Sequence, residues 1–205
     1  MRFLLSAICC FSLAVNAEAQ DTFTEPGSMK IFPKQVTFEY AGKTYTLKAT
    51  GAAEQKRSRG ERVRQVMTLA HYMANPPAAD DLDATETVRK DKGVKQFTFI
   101  IASETDDGRF AQRLERSLQS SITPATSAKL KKSIAEFVAC FKGNFKANDQ
   151  YTVRWLPDGK TEVAVAGQPP KIIANVEFAP FYWGLWFNLD SPVSTYDLLS
   201  LLTSF

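Results

Sequence analysis

The chain has 205 residues, of which 44% are hydrophobic, 12% aromatic and 23% charged. These fractions are close to the average for a globular domain, and they exclude a disordered chain, a collagen and a coiled coil. The formal net charge of +3 is smaller than the excess that polyanion-binding proteins usually carry. A chain of this length can bury about 70% of its extended-state surface. The composition therefore favours a single domain and leaves the function open.

The first nineteen residues have the form of a cleavable signal peptide. Arg2 supplies the positive charge, residues 3–15 are apolar, and Ala17-Glu18-Ala19 has the small side chains that signal peptidase requires. We therefore predict cleavage after Ala19 and a periplasmic or secreted protein, with a buried N-terminal strand or helix as the alternative. No later segment has the ~20 apolar residues of a spanning helix, so we expect no stable membrane insertion after signal removal.

Cleavage at this position would remove Cys9 and Cys10 and leave Cys140 as the one remaining cysteine. A single cysteine can form neither an intramolecular disulfide nor a cysteine-type metal site. Cys140 lies in an apolar helical stretch, which favours a buried, inert thiol over a reactive one. We predict neither a metal nor a cofactor.

Residues 20–30 are predicted to form a polar N-terminal tail, and residues 31–205 the domain. Alternation around Ala41-Gly42 predicts a hairpin over residues 36–49. Residues 63–73 and 94–102 predict two further strands, and residues 75–93 a loop with at most one helical turn. In the first of these strands, apolar side chains occupy one face and Arg62 and Arg64 the other; the apolar positions are Val63, Met67, Leu69 and Met73.

The second half of the chain predicts helices around another hairpin. Phe110, Leu114 and Leu118 form a helical stripe that Asp106 or Asp107 can cap. The further predicted elements are a helix over 127–141, a hairpin from 151–155 and 161–165, an aromatic helix capped by Asn175 and a short helix over 194–202. Because the strands come in two hairpin groups rather than alternating with helices, the fold class is α+β.

Two features could carry chemistry. Five basic residues occur within nine positions: Lys56, Arg57, Arg59, Arg62 and Arg64. They have no aromatic residues among them, which argues against nucleic acid and favours either a solvated hairpin end or a site for a carboxylate head group. His71 is the only histidine, and without a second ligand it indicates a hydrogen-bonded core residue rather than a metal or haem ligand. The aromatic cluster from Phe181 to Phe187 is predicted to be core, with lining of a ligand cavity as a further possibility.

Three segments together carry a family resemblance: residues 51–73 (GAAEQKRSRGERVRQVMTLAHYM), 94–118 (VKQFTFIIASETDDGRFAQRLERSL) and 178–202 (FAPFYWGLWFNLDSPVSTYDLLSLL). Their order and spacing resemble the bacterial branch of the chalcone isomerase-like family. The resemblance runs from about Phe32 onward. It implies an open-faced β-sandwich, in which a large antiparallel sheet is covered on one face by a layer of helices, with a ligand cleft between them. Plant members close a flavanone ring, whereas related non-catalytic members are associated with fatty-acid binding.

The resemblance also assigns positions to the family's functional residues. The catalytic arginine falls on Gln55, the threonine that organises a water on Met67, and a tyrosine and an asparagine on Phe110 and Ser117. A last polar residue falls near Leu185. The loss of one donor to a developing oxyanion can lower the rate ~10²–10³-fold. We therefore expect a non-catalytic protein.

The predicted ligand is a small apolar molecule with an acidic head, such as a fatty acid. In this prediction the helix-facing side of one strand meets the stripe that contains Phe110, and Gln55 and Arg57 form the polar edge. The candidate ligand-binding residues are Gln55, Arg57, Met67, Leu69, His71, Phe110 and Ser117. The alternative is an isomerase, or intramolecular lyase, of the chalcone isomerase type that uses Arg57 or His71. No nucleic-acid partner is predicted, and the oligomeric state is left open.

Overall fold

The computed structural model describes residues 21–104 and 108–202. The predicted signal peptide and the predicted N-caps Asp106 and Asp107 lie outside these residues. In chain order the elements are β1 Thr22–Glu25, β2 Lys30–Pro33, β3 Gln35–Tyr40, β4 Lys43–Arg59, β5 Arg62–Met73, α1 Ala84–Lys90, β6 Lys95–Ile101, α2 Arg109–Ser120, α3 Pro124–Ala139, β7 Gln150–Trp155, β8 Thr161–Val165, β9 Lys171–Ile173, α4 Phe178–Trp186 and a 3-10 turn Asp197–Leu199.

Strands β3 to β9 form a seven-stranded antiparallel sheet in which the spatial order is the chain order. Each strand pairs with the next, so short hairpin connections build most of the sheet. The regular alternation of buried and more exposed residues in β7 and β8 fits a sheet with one face against the core. The large antiparallel sheet of the sequence prediction is confirmed.

The main core lies between this sheet and helices α2, α3 and α4. Phe97 and Phe99 on β6 meet Trp186 on α4, with ring centroids 5.6 and 5.5 Å apart respectively. Phe137 of α3 packs against Tyr182 of α4 at 5.0 Å. Aromatic rings thus fill most of the space between sheet and helices, and the predicted α+β fold with a helical layer on one face is confirmed.

The opposite face of the sheet carries the β1–β2 hairpin, where the sequence suggested a polar tail. Phe32 is buried in a second apolar cluster that also contains Leu47 and Tyr72. The carboxylate of Glu25 fastens the turn, since it accepts hydrogen bonds from the backbone N–H of Gly27 at 3.0 Å and of Ser28 at 2.6 Å. A polar composition therefore reflects a capped turn here, and the open face is partly covered.

Two β-bulges interrupt the pairing of β4 with β5. Ala49 pairs with Tyr72 and Gly51 with His71, so Thr50 is an extra residue on β4. Gln55 pairs with Met67 but Lys56 pairs with Gln65, so Val66 is an extra residue on β5.

The second bulge reverses the alternation of β5. Arg57 lies on the same face as Gln55, because the two are two residues apart in β4, and Arg57 pairs with Arg64. Arg64 therefore lies on the same face as Met67. The prediction that Arg62 and Arg64 face away from Met67 is wrong, because a two-residue period cannot show an inserted residue.

The structure also adds order at the margins of the predicted elements. Within residues 75–93, α1 has seven residues, about two turns rather than at most one. The buried Lys95 stabilises its end by donating hydrogen bonds to the carbonyl oxygens of Val88, at 2.6 Å, and of Asp91. Strand β9 was not predicted, and the final helix is limited to a single 3-10 turn.

Candidate functional site

The helix-facing side of β5 carries three of the predicted site residues. Met67, Leu69 and His71 are all buried in the layer between sheet and helices. They occupy alternate positions, so Met67 and His71 are four residues and about 13 Å apart along the strand. Their surroundings differ, and the two ends of this row are described separately.

Tyr151 organises the Met67 end. Its hydroxyl donates a hydrogen bond to the sulfur of Met67 at 3.5 Å, and its ring stacks on Phe99 with centroids 4.4 Å apart. The same ring meets Phe110 of α2 edge-on at 6.0 Å. Tyr151 thus brings Met67 and Phe110, which are predicted site residues, into one apolar cluster with Phe141 and Phe145. We call these residues the Tyr151 cluster.

The hydroxyl of Tyr151 is the one polar group in this cluster that sequence reasoning missed. Burial raises the pKa of Tyr151 well above its usual value of 10, so the phenol stays protonated. A thioether sulfur is a weak acceptor, so the single hydroxyl hydrogen of Tyr151 would form a stronger bond to an oxygen than it does to Met67. The sequence predicts the strand that contains Tyr151. Because a buried tyrosine hydroxyl usually needs a hydrogen-bond partner, this strand position was the signal that could have pointed to Tyr151.

Gln55 and Arg57 lie at the solvent end of the Tyr151 cluster. Gln55 pairs with Met67 across β4 and β5 and is partly buried. Arg57 follows on the same face, about 7 Å further along, and is exposed. The helix-facing side of this hairpin therefore passes from apolar to amide to guanidinium side chains toward its solvent end.

His71 lies at the other end and is fully engaged by the core. The Nε1–H of Trp183 donates to its Nε2 at 3.1 Å. An indole nitrogen only donates, so Nε2 accepts and the proton of a neutral ring sits on Nδ1. Nδ1 faces the hydroxyl of Thr50 at 2.8 Å, and that hydroxyl donates to the carbonyl of Leu198 at 2.8 Å.

Each polar atom in this chain of bonds therefore has a partner. Burial, with a smaller contribution from the charge of Lys95, holds the pKa of His71 well below its usual value of 6.5. His71 is a neutral structural residue, as its isolated position in the sequence indicated. Neither of its nitrogens is available to a ligand in this arrangement.

Ser117 is separated from the other candidates. It is exposed on α2, and its backbone carbonyl accepts hydrogen bonds from the hydroxyls of Ser120 and Ser121. The structure thus brings together Gln55, Met67 and Phe110 with Arg57 at their edge. It places His71 and Ser117 elsewhere, with Leu69 in the packed core between the two ends of the row.

Two surface grooves lie on the helical side of the molecule. One, of about 580 Å³, follows the seam between α2 and α3 and is lined by Glu115, Gln119, Ile122, Thr123, Lys131, Ile134 and Ala135. The other, of about 750 Å³, lies between α1 and the segment after α4, beside Arg89 and Phe187. Neither is lined by a predicted site residue. The lining of the first includes Ile134, which also belongs to the main core.

Metal and thiol chemistry receive no support from the described part of the chain. Among residues 21–104 and 108–202, no three histidine, cysteine or acidic side chains converge as a metal site would need. Cys140 is buried, and burial raises the pKa of its thiol. Over the same residues, no helix is both long and apolar enough to cross a bilayer.

The architecture defines an open-faced α+β sandwich, and comparison with known sequences gives the family. The sequence profile described as chalcone isomerase-like matches residues 30–196, so the chain belongs to that family. A search of curated proteins found no match. Among solved structures, a fatty-acid binding protein from Arabidopsis thaliana superposes with a TM-score of 0.69 at 11% identity. The match covers 89% of this chain and 96% of the plant protein, which shows a shared fold.

Proposed function

We propose that this protein binds a small apolar ligand with an acidic head, such as a fatty acid, and does so without catalysis. The observation that carries the proposal is the position of Arg57 on the helix-facing side of β4, at the solvent edge of the Tyr151 cluster. The fold shared with a fatty-acid binding protein supports the same ligand class.

The head group of the ligand would bind at this edge. A guanidinium and a carboxylate form a charge-assisted pair that is roughly twice as strong as a neutral hydrogen bond. Gln55, two residues before Arg57 on β4 and nearer the apolar cluster, can add an amide N–H donor to the head group. The protonated hydroxyl of Tyr151 would exchange its weak bond to Met67 for a stronger one to an oxygen.

The apolar tail would displace Phe110 and enter beneath α2. Helix α2 is suited to such a movement, because its N-cap residue, Gly108, has no side chain and a groove runs along the seam between α2 and α3. Each CH₂ group buried there contributes about 0.8 kcal/mol. A long-chain tail can thus offset the contacts that Phe110 gives up.

Titration with palmitate tests this proposal. Arg57→Ala should weaken binding by ~1–3 kcal/mol, or about 5- to 150-fold, the range for a hydrogen bond to a charged group. The melting temperature should hardly change, because Arg57 is exposed. Lys56→Ala is the matched control, since it removes one charge from the neighbouring position on the opposite face. Binding that does not saturate, or an affinity indifferent to Arg57→Ala, would rule the site out.

An isomerase or intramolecular lyase of the chalcone isomerase type is the second candidate. It is favoured by one observation: Arg57 shares the face of Gln55, the position where the family resemblance places the catalytic arginine. The bonds of His71 to Trp183 and Thr50 argue against a route through His71. We expect loss of chalcone absorbance at the background rate. Flavanone formation that disappears in Arg57→Ala would instead establish the enzyme.

The proposed site of action is outside the cytoplasm, on the basis of the signal-like sequence before Gln20. Intact-mass measurement of protein from the periplasm or the medium should give a chain that begins at Gln20. A soluble cytosolic protein that retains Met1 would contradict export and leave the ligand proposal untouched.

A further inference from the structure

The hairpin of β4 and β5 extends beyond the rest of the sheet. β3 pairs with β4 only as far as Lys48, and β6 pairs with β5 only from Met67 onward. Residues 56–65 therefore form a two-stranded ribbon, and within the described part of the chain no further strand pairs with either side of it. We call this ribbon the basic arm, because it has five lysines and arginines and one acidic residue, Glu61.

Three of the four arginines of the basic arm share one face. Arg57 pairs directly with Arg64, and Arg62 lies two residues from Arg64, so all three lie on the helix-facing side. All three are exposed, and none forms an ion pair with any side chain that the structure describes. The ion pair of Lys56 with Glu54 lies on the opposite face.

This arrangement is unfavourable for the protein alone. Like charges directly opposite each other destabilise a strand pair, and an isolated two-stranded hairpin is marginally stable in water. A flat surface that carries negative oxygens would relieve the repulsion between the guanidinium groups. The lack of aromatic residues in the arm disfavours single-stranded nucleic acid, which such surfaces bind by stacking.

We propose that the basic arm docks the protein on the surface of an anionic lipid bilayer. The guanidinium groups would bind lipid phosphates, whose geometry matches the planar arginine fork. Docking is peripheral and needs no inserted segment. It goes beyond ligand binding, and it would place the Gln55–Arg57 edge at the surface where fatty acids partition.

Vesicle flotation tests the docking. The protein should float with vesicles of phosphatidylcholine and phosphatidylglycerol, remain behind with phosphatidylcholine alone, and be released as salt screens the charges. Arg62→Gln/Arg64→Gln should weaken vesicle binding about 30-fold, because each arginine near an anionic surface strengthens binding about 5-fold. Lys131→Gln/Lys132→Gln is the matched control, since it removes the same charge from exposed positions on α3.

Three results would overturn the proposal: binding to neutral vesicles, equal losses in the two double variants, or arm-dependent binding of heparin that matches vesicle binding. Palmitate titration without vesicles separates docking from the proposed function. The Arg62→Gln/Arg64→Gln variant should still bind palmitate with saturation, because it keeps Gln55 and Arg57, which form the polar edge of the Tyr151 cluster. Unchanged circular dichroism of both variants would show that the fold is intact.

Discussion

The buried, neutral state of His71 predicts a specific dependence of stability on pH. His71 is the only histidine of the chain, and burial lowers its pKa in the folded state well below 6.5. Below pH 6.5 the unfolded chain binds a proton that folded His71 does not. The free energy of unfolding therefore rises with pH through this window, and the contribution of His71 is lost as the pH falls below 6.5.

The magnitude follows from the linkage relation. If the folded pKa lies below the range measured, lowering the pH from about 7.5 to about 5 removes about 2 kcal/mol of stability. Other shifted groups act elsewhere. Arg89 and Lys90 hold the pKa of Glu86 at about 2, so its contribution is lost below the ordinary carboxyl range. Burial lowers the pKa of Lys95 to about 8, so Lys95 makes the free energy of unfolding rise with pH only above pH 8.

Urea unfolding followed by circular dichroism at both pH values measures this difference. His71→Asn should be less stable than the wild type at both pH values, yet it should lose most of the pH dependence, because asparagine does not titrate. NMR of the wild-type imidazole, which should remain neutral near pH 5, gives an independent reading if the variant folds poorly. A wild-type stability that stays flat across this range would refute the neutral network.

Two further substitutions test other parts of the core. Lys95→Ala should destabilise the fold by about 3 kcal/mol, because the carbonyls of Val88 and Asp91 lose a charged donor. Urea unfolding measures this loss, and a value below about 1 kcal/mol would contradict the role of Lys95. Gly51→Ala should free residues 197–201 for hydrogen exchange, since a Cβ there would lie 2.8 Å from the backbone nitrogen of Ser200. Unchanged protection of that segment would show the contact to be dispensable.

Sequence patterns predicted the sheet because its strands alternate regularly and its hairpins have clear turn residues. Ala41-Gly42 is one example, with positive φ at both positions. The patterns were less reliable where a capped turn or a bulge changes the geometry. The polar residues around the Glu25 turn predicted a tail, because the sequence does not show that they cap a turn. The extra residue Val66 moves Arg64 to the opposite face, and the composition of the strand does not reveal this.

The candidate site was predictable in part for the same reason. Gln55, Met67 and Phe110 lie around Tyr151, where strand parity and the family resemblance both put them, and their role in ligand binding stays a prediction. Tyr151 was missed, since its role depends on a contact with Met67 across 84 positions of sequence. Such contacts are set by the tertiary arrangement of β5 and β7 around β6, which local periodicity does not specify.

The bond from Thr50 to Leu198 has a consequence for the order of folding. It joins residues 148 positions apart, and the backbone of Leu201 donates to the carbonyl of Thr50 in the same place. The hairpins of the sheet close short loops and can form early. The contact between Thr50 and Leu198 closes a much longer loop, which has a larger entropic cost. We therefore expect the pocket around His71 to stay hydrated until residues 197–201 have docked, which makes that docking a late step of folding.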